Sequence, residues 1–437
     1  MNLTIAEKKY RLSPFIPCVL AFVVLFFLRD FVGKSIPLII FLILSFAVAA
    51  FADKSEIVAF CFCCIPVLNA FQSKYAFLIC MGVYIIRFVK IKTIPTYMLP
   101  IGFLIVWEIM HGFISDLSIV EVFRLFAELL FCCFVMGLST EDIDFKKIVR
   151  SMAFMAVCAY TILLLSQLSQ YDYQISALFS GVFRFGYAVD ETKMAIGFNP
   201  NYLAYICLCC IEGLALLVYK KQSNVFDMIC LGALAMFGFL TMSRKFIVCA
   251  AVWMLLFSFC HKKRFKLFLT ALLVILVVII VLQAVFPTAA RALLLRFTEE
   301  DIGGGRSNIF EFFNQQLMED NGLLFFGVGL QSFGQKMREI YNTTVPHNGL
   351  QELLVVWGIP GFLAFLAFFL MLTVHAKKKN RGIKLINYVP FCVMLLNVMV
   401  SQMVSSSVVT SCIAIVYICM VYNVDDNAEN ELTVEAA

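Results

Sequence analysis

The run LFLTALLVILVVIIVLQAVF, residues 267–286, carries no charge, and the polar segment from Pro287 to Gly349 follows it at once. A helix rises 1.5 Å per residue, so about 20 apolar residues reach across the roughly 30 Å hydrocarbon layer of a bilayer. This run therefore reads as a membrane span. The segment behind it gathers Arg291, Arg296, Arg306, Lys336, Arg338 and His347 with a dense set of glycines. A chain with little polar capacity that concentrates it in one place marks that place for chemistry or recognition.

Similar runs recur from end to end. They centre on 15–28, 36–52, 57–71, 75–89, 94–113, 119–138 and 148–168, then on 196–218, 226–241, 246–260, 267–286, 350–374, 385–400 and 404–422. The chain is 62% hydrophobic and 14% charged, with a mean hydropathy of +0.92. Soluble chains usually carry about a quarter charged residues, so a soluble globular class is excluded. The expected fold is an all-α polytopic membrane protein of about 12–14 transmembrane helices. It forms one integral membrane domain over 1–437, with 287–349 as a large outer loop. The first run follows Lys8, Lys9 and Arg11 without a small-residue cleavage site, so it reads as a retained helix and not a signal peptide.

Seventeen cysteines fall mostly inside apolar runs, as in Cys61-Phe62-Cys63-Cys64 and Cys207-Leu208-Cys209-Cys210. A thiolate metal site is unfavourable in lipid without compensating charge, so these read as small packing residues. Lysine and arginine placement sets orientation. With the N-terminus inside, the two densest basic clusters, His261-Lys262-Lys263-Arg264 and Lys377-Lys378-Lys379-Asn380-Arg381, fall on the cytoplasmic side. Both termini are then cytoplasmic, and the 287–349 segment and the Ser243-Arg244-Lys245 corner face outward.

Within the outer segment, Gly303-Gly304-Gly305 precedes Arg306, which is expected to begin an amphipathic helix. Gly327-Val328-Gly329 forms a tight turn, and His347-Asn348 leads into the next apolar run. On the same face, Thr241-Met242-Ser243-Arg244 ends one run and Asn199-Pro200-Asn201 opens another.

In this order, from about Asn199 to Phe369, these residues resemble the O-antigen ligase and O-antigen polymerase family of bacterial envelope glycosyltransferases. The matching motifs are Ser243-Arg244, Gly305-Arg306 with Ile309-Phe310, Gly327-Val328-Gly329 and His347-Asn348, followed by Gly358-Ile359-Pro360-Gly361. The resemblance implies a large-cavity (GT-C-like) membrane glycosyltransferase of the bacterial inner membrane that requires neither metal nor cofactor. It implies that Arg244 and Arg306 bind a polyprenyl diphosphate and that His347 is the general base. The implied partners are a polyprenyl-diphosphate-linked oligosaccharide, membrane lipid, and flippase and chain-length regulator proteins, with no nucleic acid.

Chemistry argues the same way without the family. A diphosphate leaving group needs fixed positive charge, which an arginine fork supplies, and a sugar hydroxyl that attacks must lose its proton, which suits histidine. Arg291, Arg296 and Arg338 read as headgroup or glycan contacts. Asn199, Asn201 and Asn348 are candidates for substrate binding, with helix capping as the competing role. A second polar set sits inside apolar runs: Glu121, Arg124 and Glu128 at one-face helical spacing, and Glu108 with His111 on the preceding run. A structural ion pair is the favoured reading there, with cavity lining second. Three functions stay open: a polymerase of lipid-linked repeat units, a ligase moving glycan to another acceptor, and a secondary transporter or flippase, for which no inverted repeat is evident.

Overall fold

The computed structural model describes residues 13–68, 74–89, 94–112, 119–180, 183–186, 199–260, 263–285, 287–298, 306–331, 333–341, 345–380 and 383–423. Among these there is helix and no strand. The first helices are α1 (Phe15–Asp30), α2 (Leu38–Phe51), α3 (Lys54–Cys64), α4 (Lys74–Phe88), α5 (Leu99–Gly112), α6 (Ile119–Leu125), α7 (Ala127–Gly137) and α8 (Phe145–Ser169). Next come α9 (Pro200–Tyr219), α10 (Val225–Leu240), α11 (Arg244–Phe259), α12 (Arg264–Val285), α13 (Pro287–Thr298), α14 (Arg306–Glu319), α15 (Asn321–Phe326) and α16 (Phe333–Tyr341). The chain closes with α17 (Gly349–Lys379), α18 (Leu385–Met399) and α19 (Ser407–Val421).

Each of the fourteen apolar runs contains helix. Among the described residues three helices, α8, α9 and α17, are long and apolar enough to cross a membrane on length and composition. Others, such as α10 and α18, are apolar but shorter. Local chemistry sets several boundaries. Asp53 and Glu56 form a reciprocal capping box at the start of α3, and Asn224 with Asp227 does the same for α10.

α3, α9 and α19 are buried along nearly their whole length and make the centre of the bundle. α3 packs on α8, while α9 packs on α10 and α19. The outer helices turn large apolar side chains outward: Ile16, Leu20 and Val24 on α1, Met228 and Ile229 on α10, and Leu269, Leu272 and Leu276 on α12. Such a surface suits lipid and not water, because helical backbones satisfy their own hydrogen bonds and leave only apolar side chains to the hydrocarbon. This is a polytopic membrane protein. Fourteen of the seventeen cysteines are buried and none is bridged, so they serve as packing residues.

The structure adds detail to three expectations. Within the 287–349 segment the described residues are mostly helix, α13 to α16, with α14 beginning at Arg306 as expected. The run that holds Glu121, Arg124 and Glu128 is divided into α6 and α7 at Phe126 (φ −97°, ψ 5°), although hydrogen bonds from Phe126 N–H to Val122 O and from Leu130 N–H to Phe126 O span the division. Asn380, placed in a basic cytoplasmic connection, is buried and donates its amide to the Tyr422 carbonyl at 3.2 Å.

Candidate active site

The Gly-Val-Gly turn is seated on a break in α17. At Gly358 the backbone is left-handed (φ 64°), and Pro360 two residues later has no N–H to give. The break strips the carbonyls of residues 355–357 of their helical donors. They are taken from outside the helix: Val328 N–H donates to Val355 O (2.9 Å), Gly329 N–H to Val356 O (2.8 Å), and the Trp107 indole to Trp357 O (3.1 Å). In a lipid environment an unpaired backbone carbonyl costs several kcal/mol, so a broken helix is tolerated only where protein supplies the donors. The contact is too close for any side chain. A Cβ on Gly327 would strike the Val356 carbonyl, and one on Gly358 would strike the Phe325 carbonyl.

α5 completes the seat. Glu108, fully buried, accepts the backbone N–H groups of Leu330 and Gln331 and the Trp357 indole N–H, at 2.9, 2.9 and 2.8 Å. His111 sets its ring nitrogens 2.8 Å from the Trp107 carbonyl and 2.9 Å from the Phe326 carbonyl. Lys336 of α16 donates back to the Val328 carbonyl. The Glu108–His111 pair thus serves as an anchor for the turn.

The serine–arginine corner is built from α9, α10 and α11. Met242 turns the chain in a left-handed conformation (φ 51°), and Ser243 caps α11 by accepting from Phe246 N–H at 3.4 Å. Ser243 Oγ donates to Asn201 Oδ1 at 2.8 Å, while Asn199 caps α9 by accepting from Asn201 N–H at 2.9 Å. Two separate motifs are therefore one corner. Arg244 sits half-buried at the first position of α11.

From that corner a chain of hydrogen bonds leads to His347 and α14. Tyr202, next to Asn201, donates its hydroxyl to Gln402 Oε1 at 2.7 Å. Residues 403–405 are gripped by Glu352 in the first turn of α17. Its carboxylate, fully buried, accepts the N–H groups of Met403, Val404 (3.2 Å) and Ser405 (3.0 Å) together with the Ser405 hydroxyl. One residue back, Gln351 donates to the Phe310 carbonyl (2.8 Å) and to Asn314 Oδ1 (3.0 Å) on α14. Asn348 caps α17 through Leu350 and Gln351 N–H and donates to the Met399 carbonyl at 3.0 Å. His347 is half-buried immediately before it. The first turns of α9, α11 and α17, and the second and third turns of α14 at Phe310 and Asn314, are thus linked to one another.

A cleft of about 410 Å³ is lined by Leu330, Phe333, Gly334, Gln402 and Ser405 among others, and by Val345, two residues before His347. Helix N-termini carry partial positive charge from unpaired N–H groups, which favours anions. An arginine opens two of these helices, α11 and α14.

The structure brings Arg244, Asn199 and Asn201 together in the corner, and ties His347 and Asn348 to the helix that Arg306 begins. The side chain of Arg306, like that of Arg296, lies outside what is described. Arg291 on α13 and Arg338 on α16 are exposed. Asn199 and Asn348 act as helix caps, and Asn201 gives its oxygen to Ser243. The Gly303–Gly305 turn falls outside the described residues. Sequence reasoning passed over Tyr202, Gln402, Ser405 and Glu352. Glu352 had a signal, an acid placed inside an apolar run, and so had the Ser405-Ser406-Ser407 cluster. Tyr202 had none.

Residues 229–366 match a family model described as O-antigen ligase. Over this stretch the chain is similar to the O-antigen ligase family. The matched stretch runs from α10 into α17, and so includes the Ser243-Arg244 corner, the Gly-Val-Gly turn, His347 and the break at Gly358. The match supports a glycosyltransferase type of activity for this membrane protein in general terms. No curated protein matches the chain.

Proposed function

We propose that the protein is a polymerase that joins polyprenyl-diphosphate-linked oligosaccharide repeat units into a surface polysaccharide at the outer face of the plasma membrane. The observation that supports this reading is the hydrogen-bonded path Ser243–Asn201, Tyr202–Gln402, Glu352–Ser405 and Gln351–Phe310, which links the helices that Arg244 and Arg306 begin to the start of α17, next to His347.

Each group has a task that suits its chemistry. Arg244 and Arg306, at the starts of α11 and α14, bind the diphosphate of the donor and stabilise the charge that grows on it as the sugar–oxygen bond breaks. His347 takes the proton from the attacking hydroxyl of the acceptor sugar. The leaving polyprenyl diphosphate keeps the bonding electron pair, so the step needs no nucleotide sugar. Metal-independent transfer belongs to this reading, with the arginines supplying the charge that a cation would otherwise bring. Both termini then lie in the cytoplasm.

A ligase would use the same donor and the same three residues and differ in its acceptor. The test is transfer by purified full-length protein in lipid discs, given lipid-linked oligosaccharide from the cells that carry it. Polymerase activity yields a ladder of repeats on the polyprenyl lipid. His347→Ala should lower turnover by about 10²–10⁴, the range of a lost general base, with the protein still folded. Normal polymer from His347→Ala at wild-type protein levels sinks the assignment, and a product of a single transfer to a different acceptor replaces polymerase with ligase.

A further inference from the structure

Gln402 is held on the cleft wall by two anchors that reach it from different helices. Tyr202 of α9 occupies its Oε1, and Glu352 of α17 fixes the backbone that begins one residue later. With the carbonyl end of the amide taken by tyrosine, the Nε2 end remains to offer its two N–H donors. Ser405 is oriented in the same manner. Its hydroxyl proton goes to Glu352, so the oxygen keeps its lone pairs as acceptors on the wall of the same cleft. The same cleft is lined by the apolar side chains of Leu330 and Phe333 and by the small Gly334.

Amide donors and hydroxyl acceptors together with apolar side chains in one cleft fit a sugar ring, which presents hydroxyls at its edge and C–H groups on its faces. Nothing charged is needed on that wall, and neither Gln402 nor Ser405 is charged. The ring bound there is the acceptor and not the donor, because Val345, which lines the cleft, stands two residues before His347, the group that receives the acceptor's proton. The donor's diphosphate belongs with the arginines.

We propose that Gln402, with Ser405, forms the binding subsite for the acceptor saccharide, with Tyr202 and Glu352 as the residues that position it. This rests on the reading of His347 as the base. Gln402 touches the sugar and sets specificity, whereas Tyr202 and Glu352 act only through the wall they hold.

The experiment is a kinetic split with full-length protein in lipid discs. The donor is the lipid-linked oligosaccharide at saturation, and the varied acceptor is the same oligosaccharide released from its lipid by mild acid. Gln402→Ala should raise the acceptor KM about tenfold with kcat within about threefold of wild type, the size expected when one or two hydrogen bonds to a sugar are lost. Tyr202→Phe, which frees the amide to turn, should raise the same KM by about threefold. The donor KM should not move in either variant, and their melting temperatures should stay near that of the wild type. An unchanged acceptor KM in Gln402→Ala, with His347→Ala inactive, overturns the subsite and leaves the reading of His347 intact. A fall in kcat alone also overturns it, since that marks a structural defect and not a sugar contact. If His347→Ala is as active as wild type, the underlying reading fails instead.

Discussion

Glu108 and Trp357, 249 positions apart in the chain, meet through a 2.8 Å hydrogen bond from the indole N–H to a carboxylate, and neither side chain reaches solvent. The same carboxylate holds two backbone N–H groups beside the Gly-Val-Gly turn, so one buried acid ties α5, α17 and the turn to each other. Buried charge of this kind survives only when donors surround it, and removing it leaves each donor bare.

Glu108→Ala should therefore cost roughly 3 kcal/mol or more, since three buried donors lose their acceptor. Glu108→Gln should fall between, because its amide nitrogen would face backbone N–H groups. Thermal unfolding of the full chain in detergent reads both. A melting temperature for Glu108→Ala equal to that of the wild type would mean that the turn is held by other contacts.

Arg244→Lys and Arg306→Lys should lose most activity although charge is kept, because lysine cannot offer the two-pronged donor geometry to a diphosphate. Both variants should bind the lipid-linked donor poorly, whereas His347→Ala should bind it normally. Turnover of the wild type should survive EDTA. Loss in chelator, restored by magnesium, would move the charge stabilisation from the arginines to a cation.

Gly358→Ala should be among the most damaging single-methyl changes in the chain. A non-glycine residue in a left-handed conformation costs about 1–2 kcal/mol, and here the new Cβ also meets the Phe325 carbonyl, which is backbone and cannot swing aside. The expected result is lower folded yield, with glycan transfer falling in step. Wild-type yield and transfer in this variant would show that α17 tolerates a different path at the break.

Orientation can be read with a membrane-impermeant maleimide on intact cells. Among the cysteines only Cys392 is exposed, so a Cys392→Ser background suffices and the packed cysteines of the core can stay. A cysteine at exposed Glu339 on α16 should label from outside, and one at exposed Lys378 at the end of α17 should not. The reverse pattern would place the cleft on the cytoplasmic side and exclude transfer at the outer face.

Much of this was legible in the sequence because the signals are local. Apolar runs such as 148–168 and 196–218 declare helices through composition alone, and the helix beginning at Arg306 follows from the glycines before it and the amphipathic pattern after it. The acids inside apolar runs were legible as anomalies. Their partners were not. Glu108 could as well have paired with Arg124, and only the fold reveals that its donors are the N–H groups beside a turn more than 200 residues away. The division at Phe126 carries no glycine or proline, so the pattern Glu121, Arg124, Glu128 read as one face of one helix. Gln402 and Tyr202 each belong to an ordinary apolar–polar boundary, and a hydrogen bond between them leaves no mark on either neighbourhood.

The seat at Gly358 also bears on the order in which the chain can mature. Membrane helices enter the bilayer as they are synthesised, and contacts between residues far apart in sequence form late. Glu108 is in place long before the ribosome reaches Leu330, and the turn cannot settle until the carbonyls of residues 355–357 have been made. In the interval an acid and an indole within α5 wait inside the membrane without their final partners. Final assembly of the cleft is thus deferred until α17 and the segment holding Gln402 arrive, so a chain truncated before about residue 405 should insert most of its helices yet never acquire an organised catalytic end.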